Sequence, residues 1–421
     1  MAAGYGELLR ARHVVRLLAG TLTGRLPNGT AALAILLFTR AEGGGYALAG
    51  AFSALYGLGT ALGQPLLGRL VDLRGQPRVI LPAAVLSALG MALFALCGIR
   101  PVALACAAVL LAGLATPPLE GALRALWPHV VSGGAQVQRA YALDAVAQEV
   151  MFTTGPLIVM LLVATWSEAA AVLVINALGL LGALSVVLSG PSRRWRAAAR
   201  EAHWLGALRS AGLLALLGCF FFVGAALGAI SVAAVAYADA HGGGDAVAGG
   251  LLAALGAGAL TGGLAYGARP WAGPPERRLR LLVAALAAGY LPLSLVPGAV
   301  PVMTLLAGLS GLFLAPALAC AFVVIDRQAP SGTVTEAFSW LVTTFGVGAA
   351  AGTAAAGPAA EWGEAPAGFA VASASGLLAV LVLLLTRGVL AVPAGADGPA
   401  GESQNDRNAA LEPGFRTGHQ A

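Results

Sequence analysis

The side chains with chemistry to offer are Arg25, Glu120, Arg124, Asp144, Glu149 and Glu336, because each stands in or beside a long apolar run. An ionisable group in such a run is costly to keep, so it either takes part in a functional cycle or is held by a partner. Arg25 lies about nine residues into the first run and Glu149 about ten into the fifth. At about 1.5 Å per residue the two reach a similar depth. Pro27, Asn28 and Gly29 follow Arg25 and should loosen the helix there. Glu120 and Arg124 are spaced i,i+4 with the acid first, the favourable order for pairing. Asp144, about one turn into the fifth run, is placed to join them near the span ends, as a gate or structural cluster or, in the alternative, a substrate contact. Asp144, Gln148, Met151 and Gly155 share one helical stripe, and Glu149 points some 140° away from Asp144. Glu336 closes a Thr333-x-x-Glu336 capping box that would open the eleventh helix. His13, His129, His203, His241 and His419 all fall in loops or at ends, and no nucleophile elbow, zinc-protease motif or phosphate loop is present. An enzyme is therefore not expected, and neither a cofactor nor a metal is called for.

The elements that must carry these residues follow from composition. Of 421 residues, 58% are hydrophobic and only 10% charged, where a soluble domain carries roughly 25% charged residues. Uncharged stretches at 43–68, 79–99, 101–119, 150–167, 169–192, 210–238, 246–268, 337–360 and 365–386 are each long enough to cross a bilayer. Residues 281–325 make two more spans around Pro297, Gly298 and Pro301, and residues 14–38 make the first, for an expected total of twelve. All 24 basic residues are arginine; with this alternation 21 fall on one side of the membrane and only Arg40 and Arg100 on the other. That asymmetry predicts a bacterial inner (plasma) membrane protein with both termini cytoplasmic. It also accounts for the basic balance without nucleic acid. Arginine without lysine, among abundant Ala and Gly, fits a GC-rich bacterial genome. Cys97, Cys106, Cys219 and Cys320 are scattered through the spans and read as packing residues. Trp127, Trp166, Trp195, Trp271 and Trp362 near span ends are expected in the interfacial belt.

The chain divides near its middle. Residues 1–190 are expected to form one six-helix bundle, 191–209 an arginine-rich cytoplasmic linker, 210–390 a second bundle, and 391–421 a disordered cytoplasmic tail. Leu110–Leu114 recurs as Leu305–Leu309 at an offset of 195, and Ala140-Tyr141 and Gly155 recur as Ala337-Phe338 and Gly352 at an offset of 197. Duplicated bundles with a substrate site between them are a recurring transporter plan.

Between the second and third spans the sequence reads Gly68-Arg-Leu-Val-Asp72-Leu-Arg74-Gly75-Gln-Pro-Arg78. This resembles the signature loop of the major facilitator superfamily, with Gly68, Asp72, Gly75 and Arg78 matching. Leu73 stands where the family prefers a base, with Arg74 one place later, and Gln76 also departs. The resemblance implies that Gly68 permits close helix contact, Gly75 a tight turn, and Asp72 a meeting with the N-terminal dipole of the eleventh helix when the transporter faces outward. In the second half the matching segment, Gly263 to Arg269, has no acid. Gly155-Pro156 in the fifth span is similar to an element of superfamily antiporters, although its flanking glycines are missing at Met151 and Val159.

The resemblance also makes the first and fifth helices neighbours. Arg25 and Glu149 are then expected to face each other in or beside a central cavity, beside Asn28. They would form either a proton-exchange site governed by Arg25 or a permanent ion pair. The implied protein is an all-α, twelve-helix efflux-like permease of actinobacterial type, expected to be a monomer in the bilayer and to exchange protons for a small amphipathic drug or metabolite. The spans offer few polar residues beyond Asn28, Gln64, Gln148, Asn176 and Trp340, which disfavours a sugar. Proton-coupled uptake, or a transport-dead sensor or scaffold acting through the tail, are the alternatives.

Overall fold

A computed structural model of the protein describes residues 2–199 and 203–390. Short α1 (Ala2–Arg10) precedes the long helices α2 (Val14–Ala41), α3 (Tyr46–Arg74) and α4 (Gln76–Cys97). The next span is broken into α5 (Val102–Leu114) and α6 (Leu119–Val130), and α7 (Gly134–Thr165), α8 (Glu168–Val187) and short α9 (Gly190–Arg194) follow. The second half runs α10 (Ala211–Ala240), α11 (Gly244–Gly267), α12 (Pro275–Tyr290), α13 (Val300–Gly311), α14 (Leu314–Gln328), α15 (Val334–Leu385) and α16 (Arg387–Leu390). Ten stretches among the described residues are long and apolar enough to cross a membrane. Helices α2 and α3, at 28 and 29 residues, are as long but more polar. The chain is a multi-pass helical membrane protein.

Proline explains the broken span. Pro117 and Pro118 stand between α5 and α6, where ring and missing N–H stop a continuous helix. The reset places Glu120 in the first turn of α6, where the helix dipole favours an acid.

Glycines set the packing and expose the internal duplication. Gly59 and Gly63 of α3 lie against the Leu110 and Leu114 carbonyls, and Gly258 and Gly262 of α11 lie against those of Gly308 and Leu312. Gly113 meets the Tyr56 carbonyl as Gly311 meets that of Leu255. Equivalent positions in these helices therefore differ by 198 or 199, about one helical turn from the 195 that the Leu-Leu-Ala-Gly-Leu match suggests. Identity among Leu and Ala cannot fix register; a backbone contact that only glycine permits can.

One connection differs from expectation. Residues 334–385 are helical throughout, with no loop between the last two spans. The segment nevertheless doubles back. Gly348 lies against the Phe221 carbonyl, while Val382 approaches Gly218 one turn away on the same helix α10. A straight helix would separate residues 348 and 382 by about 51 Å. The reversal falls around Pro358 and Pro366, where Trp362 is 89% exposed. Trp166 and Trp271 are also exposed, but Trp127 and Trp195 are buried and belong to the core rather than to an interfacial belt.

Candidate functional site

Three helices bring four charges together. Arg25 of α2, Glu120 and Arg124 of α6, and Asp144 and Gln148 of α7 are all at least nine-tenths buried. Asp144 offers one oxygen to each guanidinium, accepting from Arg25 Nη1 at 3.0 Å and from Arg124 Nε at 2.7 Å. Glu120 does the same, at 3.1 Å from Arg25 Nη2 and 3.4 Å from Arg124 Nη2. Gln148 Oε1 accepts from both arginines, at 2.9 and 3.0 Å. Two cations thus share three acceptors and the charges sum to zero. Arg25 and Asp144 sit about ten residues, roughly 15 Å, from the starts of α2 and α7, deeper than the span-end placement expected for Asp144, while Arg124 sits about two turns before the end of α6.

The pairing expected between Arg25 and Glu149 is not made; Arg25 pairs with Asp144 and Glu120 instead. The azimuth of α7 decides this. Met151 touches Gly29 and Gly155 touches Thr30, so the Asp144–Gln148–Met151–Gly155 stripe is the one facing α2. A second stripe faces α11: Ala142 lies against Gly267, Val146 against Gly263, and Thr153 against Gly256. Glu149 falls on that stripe between Val146 and Thr153. It is 8% exposed and makes no ion pair or hydrogen bond among the described residues.

At the arginine-rich end the two halves are latched. Asp72 accepts from the backbone N–H groups of Thr335 at 3.1 Å and Glu336 at 2.8 Å, capping the N-terminus of α15. The local capping box is not formed: Thr333 Oγ1 donates to the Pro330 carbonyl at 2.7 Å. An acceptor 264 residues away has replaced the local one. Gly68 makes the approach possible, since a Cβ there would lie 2.5 Å from Ser339 Oγ. Gly75 turns the chain between α3 and α4 at φ 85°. Gln76, which departs from the loop pattern, is buried and donates to the Ala122 carbonyl at 2.9 Å. Arg124 also crosses between halves, its Cζ 3.8 Å from the centre of the Phe322 ring. Tyr141 and its repeat counterpart Phe338 pack on each other at 6.1 Å. Sequence reasoning missed both Phe322 and Tyr5, whose hydroxyl donates to the Leu264 carbonyl at 3.3 Å and ties α1 to α11. The second half has no acid equivalent to Asp72. An offset of 199 carries Asp72 onto Trp271, beyond the end of α11, where its ring stacks on Tyr266 at 5.1 Å.

This latch at the signature loop meets the decisive comparison: the family model described as Major Facilitator Superfamily matches residues 17–307. The chain belongs to the major facilitator superfamily. No curated protein sequence matches it. Among solved structures this superfamily member is similar to a bacterial homologue of the iron transporter ferroportin in an outward-facing state, at 15% identity and TM-score 0.69, over 90% of this chain and 100% of that one. It is similar also to the E. coli fucose:proton symporter FucP, at 13% identity and TM-score 0.66, over 88% and 98% of the two chains. A third relative in fold is the human organic anion transporter MFSD10, at 19% identity and TM-score 0.62, over 88% and 97%. The fold is that of a membrane transporter and not of an enzyme.

Proposed function

We propose that this protein is a secondary transporter that exports a small amphipathic molecule in exchange for protons, by rocking residues 1–190 against 210–390 across a bilayer. The arginine-rich face is its cytoplasmic side and residues 191–209 are the cytoplasmic linker. The tail proposed for 391–421 lies outside the described residues. It works as a monomer, with protons, substrate and lipid as its partners.

The observation that carries the reading is the position of Glu149. An acid with no cation to hold it, on a seam of glycines between helices of opposite halves, gains or loses a proton as that seam changes between dry and wet. Arg25 does not share in this step. With Glu120, Arg124 and Asp144 it forms the fixed anchor of the first half, and Asp72 with Arg74 and Arg78 biases the closed state of the cytoplasmic gate. Asn28 and the Gly155-Pro156 pair border the pathway from α2 and α7. The polar residues available to a sugar are largely engaged: Gln148 in the charge cluster, Asn176 on the Val172 carbonyl at 2.8 Å, and Gln64 near the Pro117 carbonyl at 3.5 Å. That favours an apolar, amphipathic substrate over a sugar.

The test is retention of fluorescent amphipathic dyes and antibiotics in efflux-deficient bacteria carrying wild type, Glu149→Gln or empty vector at equal membrane levels. Wild type should lower retention and Glu149→Gln should not. Lower retention by both would keep export and remove Glu149 from coupling. No difference between wild type and vector would favour proton-coupled uptake.

A further inference from the structure

The signature loop and the end of the first half carry a set of arginines that form no ion pair with Asp72 or with the acids of the charge cluster among the described residues. Arg74 and Arg78, from the junction of α3 and α4, converge with Arg193 and Arg196, from α9 and the irregular segment after it, on a groove of about 500 Å³. Its remaining wall is apolar and includes Leu81 and Leu188. Arg196 also borders a neighbouring cavity of about 610 Å³ that Arg12 and Arg194 line. No acid lines either space. None of these six arginines makes an ion pair among the described residues.

The fold holds this cluster in place. Trp195 is buried and anchors the chain between Arg194 and Arg196. Arg196 Nη1 donates to the carbonyls of Trp195 at 2.7 Å and Arg193 at 3.1 Å, fixing one arm of its guanidinium beside Gly75. Cations gathered this way repel one another unless an anion sits among them. The location says which anion. Helices α4 and α8, whose ends frame the groove, pack on each other and on the first half, with no extensive contact to the second. They therefore form an outer, lipid-facing flank. Leu188 is 59% exposed at the groove, and Leu181, Val85 and Leu89 continue an exposed apolar surface along the same two helices.

We propose that this groove binds the headgroup of an anionic phospholipid, its phosphate among Arg74, Arg78, Arg193 and Arg196 and an acyl chain along Leu188 and Leu181. A free phosphate would satisfy the arginines but leave the apolar wall unused. Basic pockets at helix ends that hold anionic headgroups gain about fivefold in affinity per well-placed arginine.

Native mass spectrometry of the full-length protein tests this, after equilibration with equal amounts of phosphatidylglycerol and phosphatidylcholine of the same acyl chains. Wild type should retain phosphatidylglycerol preferentially. Arg78→Gln combined with Arg193→Gln should lower the affinity behind that retention about 25-fold. Arg277→Gln, an exposed arginine of the second half, should leave it unchanged. Equal retention of the two lipids by wild type, or unchanged retention by the double variant, overturns the proposal. So does displacement of the lipid by millimolar inorganic phosphate, which would mark a free-anion site. The wild-type comparison alone decides if the double variant does not fold.

Discussion

Arg25 and Arg124 carry charges that the membrane interior would expel, and the same three acceptors keep both. Removing one partner from such a set leaves an uncompensated buried charge, a loss of about 3–5 kcal/mol. Asp144→Asn should therefore lower the melting temperature of the detergent-solubilised protein strongly. Arg25→Met combined with Asp144→Leu should cost less than the sum of the single changes, as a double-mutant cycle of melting curves would measure. The sequence held much of this site. The i,i+4 pairing of Glu120 with Arg124 and the stripe shared by Asp144, Gln148, Met151 and Gly155 are both visible in it. Counting residues gives depth, however, not azimuth. Asp144 and Glu149 lie about 7.5 Å apart along α7, and the contacts of Gly155 and Met151 with α2 tell which of them turns toward Arg25. The Thr333-x-x-Glu336 motif failed for a related reason: a local pattern says nothing of an acceptor brought from far along the chain.

Helix ends and glycine seams decide how the elements meet. At Gly68 the approach of α3 to α15 is close enough that even a methyl group meets Ser339 Oγ at 2.5 Å and the Thr335 carbonyl at 3.1 Å. Gly68→Leu should hold the two helices apart. A cysteine at Ser339, 1% exposed here, should then react several-fold faster with a membrane-impermeant thiol reagent applied from the arginine-rich side. An unchanged labelling rate would mean that Gly68 does not govern closure. Span positions were legible because apolar runs of fixed length leave little choice. Register between the repeats was not, since Leu and Ala recur too often to mark it, and the reversal inside α15 was hidden because its turn stays helical.

The whole molecule is joined across its middle by the α7–α11 seam and at one end by the Asp72 latch, the Arg124–Phe322 contact and Tyr5. If transport needs the two halves to rock, a covalent tie across the seam must stop it. Thr153→Cys with Gly256→Cys, in a background without the four native cysteines, places two sulfurs in reach, since a Cβ at 256 lies 3.2 Å from Thr153 Oγ1. Oxidation should abolish substrate flux in proteoliposomes and reduction should restore it. Flux that persists in the cross-linked protein would exclude rocking about this seam.

The sum of charges in the Arg25–Arg124–Glu120–Asp144 cluster has an electrical consequence. Moving one elementary charge through the membrane field changes the energy by about 2.3 kcal/mol per 100 mV. A neutral quartet adds nothing to that cost, so this cluster would contribute no voltage dependence to a swing of the first half. If Glu149 is the coupling group, voltage dependence of turnover should change in Glu149→Gln and stay unchanged by this cluster, as flux measured in proteoliposomes under an imposed potential would show.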